Sequence, residues 1–534
     1  MNSPQLTDMG RLLEQSVRNS TVSDDGIAGS GPAEPTIHVP HVGNVLLTAY
    51  EQLRIASENI EDHLLFQSAL KRFYMRNLTF VSEKPPRDLA NELIIELTLA
   101  GYLKNDSVAK SVIGRIDELI AYEYASYWAM LKSDERLRRN IVQNWVIEAL
   151  SVRTEQIFNS PVRLAAFVTF AYQHFDTLID VGEFVEEAET TKITAVDYPF
   201  ILFIAIHKSL LRSNDANIRN AVYEMVAPSI HDADGLVSFH IKYDRLAGSK
   251  TASRVSQAIN RAGAPLRIVR AACFDRTDAS SVPPLHDKAA VQEAFSRVID
   301  EHYKRVRENL RAGVIKSIVF LLITKALIGL LVEVPYDLIV LGHVALLPLI
   351  INLLFPPVFI AVTGFTIKVP GSQNKQAILS YVSGLLYKPA SEPVRIRPPR
   401  RVAKSRAFNV LYAVLFLAVF YAVASLLAWL GFNLVQGIIF FIFLSTASFL
   451  GYRLALQVRE YEMVSSADDT LGLLRDTFYA PFIVVGRRIS YRFARLNIVA
   501  QVLDNVIELP LTTVLRLLRQ WTAFLRTKQD EIGG

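Results

Sequence analysis

The residue of this 534-residue chain that most asks for a chemical explanation is Lys325. It stands ten residues into the apolar run IKSIVFLLITKALIGLL, close to the middle of any bilayer that run would cross. An unpaired ammonium costs at least about 2.5 to 3.5 kcal/mol at that depth. Two roles can hold such a cation in place. Its stem can snorkel or its charge can pair inside a helix bundle, or it can serve a substrate or ion. Regular helical spacing sets Leu321, Ile328 and Gly329 on the same face. Asn352 lies in the next apolar run with Pro348, Pro356 and Pro357. Each proline removes a backbone donor and frees a carbonyl that needs a partner away from water. Lys325 and Asn352 are therefore the candidate intramembrane functional residues.

The other constellation worth weighing is HDADGLVSFH, which brings His231, Asp232, Asp234 and His240 within ten residues. Asp-x-Asp-Gly matches part of a calcium loop, but the later ligands and the terminal Glu are missing. A helix N-cap with nearby histidines accounts better for the stretch. Walker, dinucleotide, HExxH and GxSxG patterns are all missing. Cys273 is the single cysteine, which rules out an internal disulfide and any Cys-rich metal site. No catalytic residue, cofactor or metal site is expected, and an enzyme acting on lipid is the least favoured class.

Elements long enough to hold Lys325 in a membrane follow from the apolar runs. Residues 313 to 457 form two helical hairpins, with spans at about 315–332, 338–363, 408–431 and 434–455; each is long enough to cross a hydrocarbon core of roughly 30 Å. VEVPYD and GFN are the expected tips, with Tyr336 and Trp429 near them at the interface. Ala418 and Ala422 in the third span, and Ala447, Gly451 and Ala455 in the fourth, have the four-residue spacing that favours close helix packing.

Charge sets the threading. Residues 1–312 carry 35 Lys and Arg against 40 Asp and Glu, so the +5 of the whole chain and its pI of about 9.0 belong to the second part. Basic residues there suit anionic lipid better than nucleic acid. The loop at 366–407 holds nine basic residues against Glu392 alone, while both tips hold none. The positive-inside rule then puts both termini in the cytoplasm and both tips outside. Arg395, Arg397, Arg400 and Arg401 in this loop, and Trp521 near the end, are candidate lipid-surface residues.

Before the spans the pattern is helical, and the fold class is all-α. Residues 1–42 lack periodicity and read as a disordered tail. Residues 43–284 read as a cytoplasmic helical domain, with helix starts at Pro85-Pro86, Asp106 or Ser107, Ser133 and Ser160-Pro161. LAAFVTFAY and PFILFIAI within it are too short to span and read as buried core helices. Residues 285–312 are a connecting helix that Val291, Phe295, Val298, His302, Val306 and Leu310 carry into the first span, so one helix of roughly 70 Å couples domain and bundle. The start has no basic and apolar leader, and no cleavable signal is expected. Residues 458–534 read as a cytoplasmic or membrane-surface tail in which FYAPFIVVG is too short to cross. An amphipathic helix at 510–532 lies on the membrane or docks on the soluble domain.

The stretches ENIEDHLLFQSALKRFY, GYLKNDSV, ITKALIGLLVEVPYD, INLLFPP and LDNVIELPLTTVLRLLRQW resemble a family of multi-spanning membrane proteins from reduced-genome candidate-phylum bacteria. The likeness runs from about residue 44 to the end. It implies a cytoplasmic-membrane location and adds no catalytic residue, because that family has no assigned activity.

The expected function is that of a membrane-anchored, non-enzymatic scaffold whose soluble helices bind a cytoplasmic protein and whose basic residues meet anionic lipid. The other expectation is a small transporter or channel component that uses Lys325.

Overall fold

The computed structural model of the chain describes residues 5–28, 35–39, 64–186, 189, 192–275, 282–388, 395–398, 406–463, 478–490, 517 and 521. Among these the regular elements are all helices, apart from an isolated bridge between Thr36 and Ala109. The chain divides into two compact units, Ser16–Ser256 with Asn497–Gly534, and Met1–Gln15 with Gln257–Leu496.

The first helix, α1 (Asp8–Ala28), forms where composition predicts a tail without structure. Its stripe explains why. Leu6, Gly10, Leu13 and Val17 recur at spacings of four and three and are all buried, so this stretch has an apolar face to bury despite its Ser and Asp content.

In the unit of residues 16–256, α2 (Leu65–Asn77), α3 (Leu89–Leu99), α4 (Ser111–Ser133) and α5 (Arg139–Phe158) enclose one core. The sequence α6 (Val162–Leu178), α7 (Tyr198–Ile206), α8 (Asp215–Val226) and α9 (Ala233–Ala247) follows. LAAFVTFAY falls in α6 and PFILFIAI in α7, where Phe167, Phe170, Ile201 and Ile204 are fully buried. Asp232 is the N-cap of α9 and accepts the Gly235 N–H at 2.8 Å. His240 is turned onto the ring of Trp145 at 4.5 Å and Asp234 accepts from Ser133, so HDADGLVSFH is spent on capping and packing. Residues Lys250–Ala262 form α10.

The other unit holds the candidate spans. Helix α11 (Ala264–Cys273) precedes α12 (Lys288–Ile328), a single 41-residue helix capped by Asp287, whose side chain accepts from the N–H groups of Ala289 and Ala290. At about 1.5 Å per residue α12 is roughly 60 Å long, about twice the bilayer core. It does not stop at the expected tip. A π turn at Gly329–Glu333, one α turn at Val334–Tyr336 and a second π turn at Asp337–Leu341 continue it. Gly342 breaks it, in the left-handed conformation that suits a residue without Cβ. The first tip is thus the turn after Leu341, and VEVPYD lies inside the helix.

Helix α13 (Leu346–Thr366) returns through Pro356 and Pro357, and α14 (Ser372–Tyr387) occupies part of the basic loop. Ile378, Val382 and Leu386 are buried. Lys375 pairs with Asp300 of α12 at 2.6 Å, which sets this basic segment beside the polar part of α12. Thr7, just before α1, donates its hydroxyl to the Leu385 carbonyl of α14 and its N–H to Leu386. The last candidate spans are α15 (Arg406–Trp429) and α16 (Leu434–Arg459). Four helices, Lys288–Val340, Leu346–Thr366, Val410–Trp429 and Leu434–Arg459, are long and apolar enough to cross a membrane.

Small residues set how closely the spans approach. A Cβ on Gly451 of α16 would meet Thr363 of α13 at 2.9 Å, and one on Gly364 of α13 would meet Val314 of α12 at 2.6 Å. Ala447 is buried as its spacing predicts, whereas Ala418 and Ala422 of α15 face outward. The third span packs instead through stacked rings, Phe420 on Phe441 at 5.2 Å. A further helix, α17 (residues 478–490), joins them. Its fully buried Phe482 lies 4.9 Å from Phe420 and 6.3 Å from Phe441. FYAPFIVVG is too short to cross, yet it packs against the middle of two spans rather than in a separate tail.

Candidate functional site: a polar cluster among the spans

Lys325 is buried to 1% exposure, and its Nζ donates to Glu333 Oε1 at 2.5 Å while standing 4.9 Å from the ring centre of Phe443. The partner is two turns along the same helix, and the helix geometry explains the meeting. Eight residues of α-helix turn about 800°, which would leave Glu333 about 80° away from Lys325. A π turn takes in about one residue more than an α turn. The turn at Gly329–Glu333 therefore returns Glu333 to within about 20° of Lys325 and brings Asp337 to the same face.

The rest of the cluster comes from α13 and α16. Asn352 Nδ2 donates to Glu333 Oε2 at 3.0 Å and to the Gln436 carbonyl at 3.3 Å, while its Oδ1 is buried without a hydrogen-bond partner. Asp337 accepts three donors: Asn433 Nδ2 at 2.7 Å, Gln436 Nε2 at 2.9 Å and the Ala345 N–H at 3.3 Å. The two amides cannot turn round, because their oxygens are already used. Asn433 Oδ1 takes the Gln436 N–H and Gln436 Oε1 takes the Asn433 N–H, a reciprocal cap at the start of α16. Glu333, Asp337, Asn352 and Gln436 are all fully buried.

These residues form one line of polar contacts. It starts at the tip cap of α16, passes Asp337 and Gln436, then Asn352 and Glu333, and ends at Lys325. Three spans are tied by it, and α15 contributes nothing to the hydrogen bonds described. Both sequence candidates, Lys325 and Asn352, belong to it, joined through Glu333. Sequence reasoning missed Glu333, Asp337, Asn433 and Gln436. Glu333 and Asp337 were assigned to an exposed tip, and the signal that corrects this is the apolar LIVL after Asp337, followed by Gly342.

Arg395 and Arg397 are exposed, Arg400 and Arg401 lie outside the described residues, and Trp521 is 60% exposed. Of the expected helix at 510–532 only Leu517 and Trp521 are described, both helical.

A second group of charges lies in the unit of residues 16–256, in a cleft lined by α4, α5, α8 and α9. Arg153 pairs with the buried Glu123 and stacks over Tyr223 at 4.8 Å. Arg219 pairs with Asp244 at 2.8 Å and stacks over Tyr243 at 4.7 Å. Burial, and then the charges of Arg219 and Arg153, hold the His240 pKa down to about 3. Each guanidinium has a carboxylate and a ring, so the cleft reads as a helix-joining network.

No family model, curated protein or solved structure matches the chain.

Proposed function

We propose that the protein is a membrane-anchored interaction module: a bundle of spans holds α12 at fixed depth and register so that the helical part of the chain meets a soluble cytoplasmic partner. The observation that carries this reading is the unbroken helix from Lys288 to Ile328. About half of its length exceeds what a bilayer core needs, and its apolar half is tied to α13 and α16 by the polar cluster. A long helix held in register supports an anchored role. The excess of basic residues at 366–407 supports a threading with the polar end of α12 and α14 in the cytoplasm and the two tips outside. A place in the cytoplasmic membrane of a bacterium, as the sequence likeness implies, and contact of Arg395 and Arg397 with anionic lipid belong to the same proposal.

Transport is the second reading, favoured by one observation: two carboxylates and an ammonium lie buried among spans, an arrangement associated with ion and proton pathways. Purification of the full chain from its native membrane separates the two. A soluble protein recovered in stoichiometric amount supports the module. Solute-dependent flux in reconstituted vesicles, with no such protein recovered, supports transport.

A further inference from the structure

The charges of the cluster do not balance. Lys325 offers one positive charge and Glu333 and Asp337 two negative ones, and the ion pairs among the described residues include none to Asp337. Its three partners are neutral donors of fixed orientation, an arrangement that suits a carboxylate as acceptor and supplies no positive charge. A fully buried excess charge in a membrane bundle is costly unless something of opposite sign is bound.

The second observation is independent of charge. Asn352 Oδ1 is a fully buried amide oxygen without a partner, inside the cluster because the same amide's nitrogen bonds Glu333. The backbone adds to it. Pro356 stands four residues after Asn352 and has no N–H, so the donor an α-helix would aim at the Asn352 carbonyl is missing. Asn352 thus brings an unpartnered side-chain oxygen, and a carbonyl without its α-helical donor, to a place short of one positive charge.

We propose that the cluster binds one monovalent metal cation, ligated by Asn352 oxygens together with carboxylate oxygens of Glu333 and Asp337. The valence follows from the count, since a single positive charge neutralises the cluster and a divalent ion would leave an excess in a poor solvent for charge. The ligand class follows from the atoms, all of them hard oxygens suited to sodium-like ions. This site is independent of whether the protein is a module or a transporter.

The test is thermal unfolding of the full chain in detergent, in sodium, lithium, potassium or choline chloride at one ionic strength and pH. The expected result is a midpoint that rises saturably with one of the metal ions, by about 5 °C at a large excess over its dissociation constant, and not with choline. Asp337→Asn removes the excess charge and should abolish the dependence. Asn352→Leu, which removes the amide oxygen and keeps all charges, should weaken the response and serves if the first variant does not fold. Equal midpoints in all four salts would overturn the proposal. So would a midpoint that moves with pH alone, because a proton would then supply the missing charge.

Discussion

At the scale of residues, Lys325 and Glu333 are a pair rather than two sites. Removing one partner strands the other. Lys325→Met leaves Glu333 with only the Asn352 amide, and the expected loss is about 3 kcal/mol, at the low end for broken buried pairs. Glu333→Gln alone should cost a similar amount. The double variant should recover half or more of the loss, because no unmatched charge remains on that pair. Denaturant unfolding in detergent of the four proteins gives the coupling directly, and strictly additive losses would show that the pair does not interact. A second residue-scale prediction concerns pH and the soluble helices. Burial holds His174 and His207 to about 4, and His240 to about 3, against an ordinary value of 6.5. The unfolded chain therefore takes up protons that the folded one refuses, so this stabilisation is present above 6.5 and is lost as pH falls towards 4. Half-buried Glu155, raised to about 7 from 4.5 by that burial, acts in the opposite sense: its contribution is present below 4.5 and lost as pH rises through 7. Glu123, also raised by burial, acts with Glu155, while Glu189 and Asp197, which hydrogen bonds hold low against the effect of burial, act with the histidines. With five groups against two, the unfolding midpoint of this unit, followed by amide exchange, should fall between pH 6.5 and 4. His240→Phe keeps a ring on Trp145 and should flatten that slope.

At the scale of elements, the π turn decides what the cluster contains. Deleting Leu331, an outward-facing residue at 63% exposure, would turn the segment into plain α-helix with Lys325 and Glu333 seven residues apart, about 20° from alignment. The pairing should survive. Inserting one alanine after Leu331 swings Glu333 by about 100° instead and should cost as much as losing the carboxylate. Equal tolerance of both changes would show that register along α12 is unimportant. Helix α17 offers another test, because a Cβ on Gly486 would overlap the Ser445 carbonyl oxygen in the backbone of α16. Gly486→Ala should push α17 off the bundle, expose Phe482 and cost about 1 to 3 kcal/mol. The check is cross-linking between cysteines placed at Phe482 and Phe441, expected in the parent and weakened in the variant.

The same elements show what was legible in the sequence. Periodicity found the continuous run of α12, the core helices α6 and α7, and the four helices long and apolar enough to span, because each of these obeys a plain 3.6-residue repeat or a simple length rule. Periodicity misplaced the first tip. Glu333 and Asp337 look like tip residues as long as the helix before them keeps α geometry, and only the π turn makes them inward-facing. Lys325 and Asn352 were visible as polar residues in apolar runs, but the residue that joins them was hidden by that register change. Asn433 and Gln436 could be read as a helix cap, whereas their use of the remaining amide hydrogens on Asp337 depends on contact between α12 and α16. Composition also hid α1, because its buried Gly10, Leu13 and Val17 are spread among Ser, Asn and Asp.

At the scale of the whole molecule, the proposed reading depends on a membrane being crossed with both tips on one side and the polar end of α12 on the other. The most direct measurement is labelling of single cysteines, in a Cys273→Ser background, by a membrane-impermeant maleimide on intact cells. Leu434→Cys at the start of α16 should react from outside. Lys388→Cys after α14 should react only once the membrane is opened, and Glu333→Cys should stay unreactive in both conditions. Labelling of Lys388→Cys and not Leu434→Cys in intact cells would invert the threading, and ready labelling of Glu333→Cys in intact cells would contradict the buried cluster on which the account rests.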